Sequence, residues 1–333
     1  DVRLETGETG QGNWVLASKE AEIKEETREQ LQTAETEGSF LLPVKPYIRN
    51  LEIKDLAFVF KKGVQGQDMQ ADVEHLRIFV DETDIPFILK AAYQGAPIEL
   101  GGSLGNIEQW HANQQTGIAL TGKLNQADLS ITGTAGPMLP IPNASLDLSL
   151  EADSLSTFSQ FAGLAIPELQ GFDASLTFLA ADGRMATEDV RLNLDDPRLL
   201  VAVEGVVANL NELSGIDLRA EINSEQAAEL IKSLALNIQY TLPRTVQLKA
   251  GVDGNLEQLS VRDLELLVKD AGLDIRLIGE MENVLGAVGG SADLSANLES
   301  TSIIGQYIGQ ELPPFGPFTL VAKLSSSNTK MQL

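Results

Sequence analysis

The feature that most constrains this chain is an alternation of apolar and polar residues, period two, that returns many times. Leu146, Leu148 and Leu150 alternate with Asp147 and Ser149, and Val190, Leu192 and Leu194 alternate with Arg191 and Asn193. Leu218, Ala220 and Ile222 follow the same rule, as do Val246, Leu248, Ala250 and Val252. Further on come Leu264 and Leu266, then Leu273, Ile275 and Leu277, then Leu294, Ala296 and Leu298, and finally Phe318, Leu320, Ala322 and Leu324. Successive side chains of a strand point to opposite faces, so each run predicts a strand with one apolar and one polar face. Many such strands in succession predict antiparallel sheet, because parallel strands are buried on both faces and read as unbroken apolar runs. Turn signals separate the runs: Asp182-Gly183, Asp195-Asp196-Pro197, Asp253-Gly254-Asn255 and Asp270-Ala271-Gly272.

The sequence also repeats itself. Asp147-Leu148-Ser149-Leu150 leads to a helical stretch at Leu155 to Gly163, then Ile166-Pro167-Glu168-Leu169, then a strand. Asp217-Leu218-Arg219-Ala220 leads to Glu225 to Leu236 and Leu242-Pro243; Asp293-Leu294-Ser295-Ala296 leads to Ser302 to Gly309 and Leu312-Pro313-Pro314. The Asp-Leu anchors lie 70 and 76 residues apart. The block before each anchor recurs too, Asp189-Val190-Arg191-Leu192 matching Asp263-Leu264-Glu265-Leu266. A unit of two strand pairs and one short helix, used about three times, is a repeat architecture. The chain reads as one continuous elongated domain, a piece of a longer protein. Its parts are an N-terminal strand piece (1–50), a first repeat region (51–186), a second repeat (187–255) and a third (256–333).

The helices are amphipathic. Ala227, Leu230, Ile231 and Leu234 share one face, with Ser224 as N-cap; the other stripes are Leu155, Phe158, Phe161, Ala162 and Ile303, Ile304, Tyr307, Ile308. These stripes are expected to close the end or edge of the sheet. Residues 18–38 are an acidic insertion with almost no apolar stripe, read as a solvated helix or a disordered loop.

Composition excludes several functions. With 24 Lys and Arg against 48 Asp and Glu, the formal charge of −24 argues against gripping nucleic acid or an anionic bilayer. Cysteine is absent, which excludes disulfides and thiolate metal sites. No apolar run is long enough to span a membrane as a helix. Gly101-Gly102-Ser103-Leu104-Gly105 matches the nucleophile-elbow pattern, but no helical pattern is evident after it and His111 is too close, so a Gly-rich hairpin or bulge is expected. His75 and His111 stand in no metal-ligand spacing. Asp195-Asp196 and Asp253 with Asn255 suggest turns rather than calcium loops, and Trp110 a half-buried loop residue rather than a stacking platform. The chain is therefore expected to be no enzyme, with no metal and no cofactor.

Several short motifs, in order, resemble the AsmA-like proteins of Gram-negative bacteria. These are Gly12-Asn13-Trp14, Pro46-Tyr47-Ile48 with Leu51-Glu52-Ile53-Lys54-Asp55, and Leu312-Pro313-Pro314-Phe315-Gly316-Pro317-Phe318. Earlier units depart from the last element: Ile166-Pro167-Glu168-Leu169-Gln170-Gly171 matches it in part, and Leu242-Pro243-Arg244 lacks the Gly-Pro. The resemblance covers about residues 10–333. It implies a taco-shaped apolar β-groove of the bridge-like lipid transfer kind, and a periplasmic location with an inner-membrane anchor helix that this sequence does not contain. It further implies a part in phospholipid movement towards the outer membrane and in outer-membrane homeostasis.

The residues themselves pose the same question more broadly. A one-faced sheet must cover its apolar side, and three short helices are too few to cover ten or more strands. The sheet either folds on itself as a sandwich or stays open around acyl chains, which would slide most freely along side chains without polar atoms. At about 0.8 kcal/mol per buried CH₂, a 16-carbon chain hides about 12 kcal/mol of apolar surface, much as a bilayer does. The expected groove lining is Leu146, Leu148, Leu150, Val190, Leu192, Leu218, Ile222, Val246, Leu248, Leu264, Leu266, Ile275, Leu277, Leu294, Leu298, Phe318 and Leu320. The rival expectation is a scaffold for outer-membrane assembly that acts through protein contacts at its sheet edges and at the acidic insertion.

Overall fold

Alternation along the chain becomes sheet through hairpins. The computed structural model describes residues 2–5, 49–61, 68–112, 114–136, 143–229, 243–286, 288–327 and 330–332. The insertion 18–38, the motif residues 12–14 and 46–48, and Leu230, Ile231 and Leu234 lie outside them. The first half comprises β1 (Val2–Glu5), β2 (Asn50–Lys61), β3 (Asp68–Phe79), β4 (Asp84–Tyr93), β5 (Ala96–Asn106), helix α1 (Ile107–His111), β6 (Thr116–Leu124), β7 (Ala127–Ala135) and β8 (Ala144–Ser154). A 3-10 turn (Leu155–Phe158) then runs into α2 (Ser159–Ala162), followed by β9 (Gln170–Ala181), β10 (Arg184–Asp196), β11 (Leu199–Asn209) and β12 (Ser214–Ser224). The rest comprises β13 (Thr245–Asn255), β14 (Leu259–Asp270), β15 (Leu273–Asn283), β16 (Val288–Leu298), α3 (Thr301–Ile308), β17 (Phe318–Ser327) and β18 (Lys330–Gln332).

From β2 to β17 each strand pairs antiparallel with the next, in one open meander; β1 adds parallel to β2 and β18 antiparallel to β17. At about 4.8 Å per strand, those sixteen strands extend for about 70 Å across the sheet. Four strands followed by a helical segment recur three times, as β2–β5 with α1, as β9–β12 with a helical turn at 227–229, and as β13–β16 with α3; between the first and second of these stand β6–β8 with α2.

The repeated Asp blocks turn out to be repeated bulges. Asp189 and Asp263 both have left-handed backbone, with φ of 48 and 51°; Asp55 shares the conformation at φ 53° without a shift in register. The ladders step past Asp189 and Asp263 on both sides. One extra residue bends a strand and raises its twist, and Asp is among the few residues that tolerate this conformation. Because the bulge absorbs a residue, Val261 and Leu264, three positions apart, both face the inner side. Glycine contributes to the same bending. Gly205 pairs with Leu218 at φ 148°, and a Cβ there would lie 2.1 Å from the Asp217 carbonyl oxygen. Only a residue without a side chain lets the two strands approach so closely.

Strand count decides which long rim of the sheet each helix occupies. Three strands separate α1 from α2, so these two helices sit on opposite rims; four strands separate α2 from the 227–229 turn, and four more separate that turn from α3. These last three therefore share one rim, called here the first rim. The side chain of Asn125, in the β6–β7 turn, donates to Thr157 O at 2.9 Å and confirms the placement of α2.

Dry packing concentrates along the first rim. Ala127, Ala152, Leu169, Phe172 and Leu194 form one buried cluster, against which Leu155 and Phe158 pack. Phe158 meets Phe172 edge-on at 5.2 Å, and Phe161 stacks on Tyr93 at 6.2 Å. Leu273, Ala296 and Leu298 form a second cluster, covered by Ile303, Ile304 and Tyr307 of α3. Ser300 and Ser224 cap their helices through the backbone N–H groups of Ser302 and Gln226, both at 3.3 Å, and Gly309 ends α3 in left-handed conformation. The helices thus seal one end of the strands, as their stripes require.

Candidate functional site

The ladders align the apolar residues into rows that cross the sheet. One row runs Val201, Ile222, Leu248, Leu266, Leu277, Leu294, Ala322. A second runs Leu192, Val203, Ala220, Ala250. The same face continues through β5–β9, where Leu100, Gly122, Leu129, Leu150 and Ala174 are cross-strand neighbours. The opposite face carries cross-strand ion pairs: Lys123 with Asp128 at 2.7 Å, Lys249 with Glu221 at 3.0 Å, and Lys323 with Asp293 at 3.5 Å. Such exposed pairs contribute at most about 1 kcal/mol each, so they favour register and solubility more than stability.

Away from the first rim the apolar rows are only half-buried, including Leu148, Leu218, Leu266, Leu277 and Leu294. On β12–β17 they open into a cavity of about 440 Å³. Its lining includes Ala220, Leu248, Ala250, Val252, Val261, Leu264, Leu277, Met281, Val284, Ala292 and Leu324. Residues of six consecutive strands share this one cavity, so the sheet curls into a trough there; a flat sheet would hold β12 and β17 about 24 Å apart on an open plane. The volume lies within the range of about 300–1,000 Å³ usual for small-molecule sites, and the lining is almost wholly hydrocarbon.

All the expected lining residues fall on this one face, but the structure divides them. Leu248, Leu264 and Leu277 line the cavity. Leu298, 4% exposed, and Phe318 belong instead to the closed core beneath α3, with Ile275 against it. Leu150 and Leu192 pack beside the core beneath α2. Leu146, Leu148, Val190, Leu218, Ile222, Val246, Leu266 and Leu294 occupy the half-buried rows between, and Leu320 is exposed. Val261, Met281, Val284 and Ala292 are cavity residues that the sequence reading did not name; their signal was register, since Val261 pairs with both Val252 and Met281.

The polar groups near the first rim hold the frame. Asp196 is buried and accepts from Gln170 N–H at 2.9 Å, Arg198 N–H at 2.9 Å, and the Arg198 guanidinium at 2.8 and 2.9 Å; Arg198 also donates to Glu168 O. The Arg198 hydrogen bonds, aided by the backbone donors, hold the Asp196 carboxyl well below the usual carboxylate range despite its burial. Tyr307 donates to Asp270 Oδ2 at 2.6 Å and fastens α3 to the β14–β15 turn. Burial, reinforced by that bond, pushes the phenol up, and the same bond draws Asp270 down.

The remaining motifs form local hydrogen bonds. Ser103 Oγ donates to Asp84 at 2.6 Å and accepts from Gly105 N–H at 3.0 Å, in a β5 bent at Gly102 with φ 148°. Contrary to the sequence reading, a helix does follow: α1, capped by Asn106, whose side chain accepts from Glu108 and Gln109 N–H. It is five residues long, too short to show an apolar stripe. Trp110 is half-buried and donates to Leu104 O at 3.0 Å. His75 bonds Glu52 at 3.0 Å on the polar face, and Lys54, then His75, draw Glu52 below its ordinary value. Asn255 Oδ1 accepts from Glu257 and Gln258 N–H, both at 2.9 Å, which makes its loop a turn. Among the described residues no cluster of three His, Asp or Glu side chains could hold a metal ion, and no helix is long and apolar enough to cross a membrane.

No family model matches the chain, and neither does any curated protein or solved structure.

Proposed function

We propose that this chain is a section of a groove that holds phospholipid by its acyl chains and lets it move along the rows, without chemistry. The observation that carries the reading is the trough on β12–β17: a continuous apolar face, sealed along one rim by helices, that opens into a hydrocarbon-lined cavity of about 440 Å³. Burial of a 16-carbon chain is worth about 12 kcal/mol in such a place, close to its value in a bilayer, so exchange between the two is near balance. The inner rows offer an acyl chain no polar atom to register against, which keeps barriers to sliding low. The short motifs similar to AsmA-like proteins support the same reading, and with it a periplasmic location, an anchor in the inner membrane outside this sequence, and phospholipid movement towards the outer membrane.

Native mass spectrometry of the protein purified from bacterial membranes tests this. Phospholipid is expected to co-purify and to be removed by organic solvent. Protein free of phospholipid in every preparation overturns the proposal.

A further inference from the structure

The trough has two long rims, and over β12–β17 they are built differently. The first rim is roofed by α3, with Ile303, Ile304 and Tyr307 packed on a dry core. The second rim carries the β11–β12, β13–β14 and β15–β16 turns, which stand about 10 Å apart because two strands separate each from the next. All three turns are held by an Asn side chain. Asn209 accepts from Asn211 and Glu212 N–H, Asn255 from Glu257 and Gln258 N–H, and Asn283 from Gly286 N–H. Each presents a large aliphatic side chain outward: Leu213 is 41% exposed, Leu256 56% and Leu285 62%. Val284, beside Leu285, lines the cavity itself, so this apolar edge is continuous with the interior.

The same rim is acidic. Segments 209–217, 253–261 and 279–292 contain Glu212, Asp217, Asp253, Glu257, Glu280 and Glu282 and neither Lys nor Arg. Arg262, the next residue along β14, bridges Asp217 and Asp253, which leaves Glu212, Glu257, Glu280 and Glu282 to set the charge of the edge; the bases beyond it, Arg184 in β10 and Lys330 in β18, flank the strands of the cavity. Aliphatic side chains that project from a negatively charged edge suit a lipid surface without net negative charge; an anionic surface would be repelled over the Debye length of about 8 Å.

From this geometry we infer that the second rim over β12–β17 is a lateral loading lip, through which acyl chains pass sideways from a zwitterionic lipid surface into the trough. Leu213, Leu256 and Leu285 make the first contact and Val284 hands the chain to Met281 and Leu264 within. The inference rests on the lipid-groove reading above.

The test is stopped-flow transfer of a fluorescent phospholipid from vesicles to the full chain. Phosphatidylcholine vesicles are compared with vesicles enriched in phosphatidylglycerol, and the chain with its triple variant Leu213→Ser, Leu256→Ser, Leu285→Ser. The variant is expected to load from phosphatidylcholine at least tenfold more slowly, yet to reach the same final occupancy when lipid is supplied from detergent. The unaltered chain is expected to load several-fold more slowly from the anionic vesicles at low salt, a difference that shrinks as salt rises. A variant that loads at the full rate, or anionic vesicles that load faster, overturns the lip while leaving the groove intact. A variant with lower occupancy from detergent as well also overturns it, since these side chains would then shape the cavity. Failure of the unaltered chain to take up lipid from any source overturns both readings.

Discussion

Leu248→Glu separates a trough from a closed core. Leu248 lies in the middle of β13, between Ile222 and Leu266, half-buried and facing the cavity. Its contribution to folding is about half that of a fully buried leucine, or about 1–1.5 kcal/mol. A glutamate there can keep its carboxylate hydrated from the trough, so the variant is expected to fold with a loss of about that size. An acyl chain laid across it changes the balance, because the carboxylate must be desolvated or neutralised. Neutralising a carboxylate of ordinary pKa about 4.3 at pH 7 costs about 3.7 kcal/mol, which weakens lipid binding about 500-fold. The penalty falls tenfold for each pH unit of acidification towards 4.3, whereas Leu248→Gln has no such dependence. Urea denaturation measures the first effect, and retention of fluorescent phospholipid against pH the second. Leu298→Glu is the contrast: at 4% exposure in the core under α3, an unpaired charge costs several kcal/mol and is expected to abolish cooperative folding. If Leu248→Glu unfolds the chain as Leu298→Glu does, Leu248 lies in a closed core and the trough reasoning fails. If it folds and binds lipid normally at pH 7, acyl chains do not use this face.

Asp196→Asn is expected to cost about 3 kcal/mol at pH 7, since it leaves Arg198 without its carboxylate. The folded-state pKa of Asp196 is depressed, so its stabilisation is complete above about pH 4 and is lost as pH falls through the folded value. Denaturation at pH 7 and pH 3 should therefore show the gap between parent and variant narrow in acid; a constant gap refutes the linkage. Tyr307→Phe removes a hydrogen bond to a carboxylate and is expected to cost about 1.5–2 kcal/mol. It should also raise the Asp270 pKa, observable by NMR titration, and an unmoved Asp270 would contradict the bond. Gly205→Ala places a Cβ against the Asp217 carbonyl and forces alanine into a backbone conformation it disfavours; a loss of at least about 2 kcal/mol in thermal or urea melts is expected. A neutral result would show that the bend at β11 is not imposed by this close approach.

Much of the fold was legible in the residues. The alternation of Leu218, Ala220 and Ile222 with Asp217, Arg219 and Glu221 allowed one face to be apolar and one charged, and the register that pairs Ile222 with Leu248 keeps it so. A slip of one residue would have turned every leucine outward. The recurrent Asp-Val-Arg-Leu and Asp-Leu-Glu-Leu blocks marked the bulges before any geometry was known, although the sequence did not say that they were bulges. Helix α1 was hidden because five residues cannot display a periodic stripe, and only the cap at Asn106 with Glu108 announced it.

Local sequence, then, determined strands, faces, repeat and helix caps, because each depends on residues within a few positions of one another. Tertiary structure decided the distinction on which function turns: Leu277 borders a cavity while Leu298, on the next strand with the same alternation, is sealed in a core. Nothing local differs between them. What differs is distance from the rim that α3 folds across, and how far bulges and glycines curl the intervening strands. Burial is a property of everything packed against a residue, so a chain can state which side of its sheet avoids water and still leave to the assembled fold where that side is covered and where it stays open.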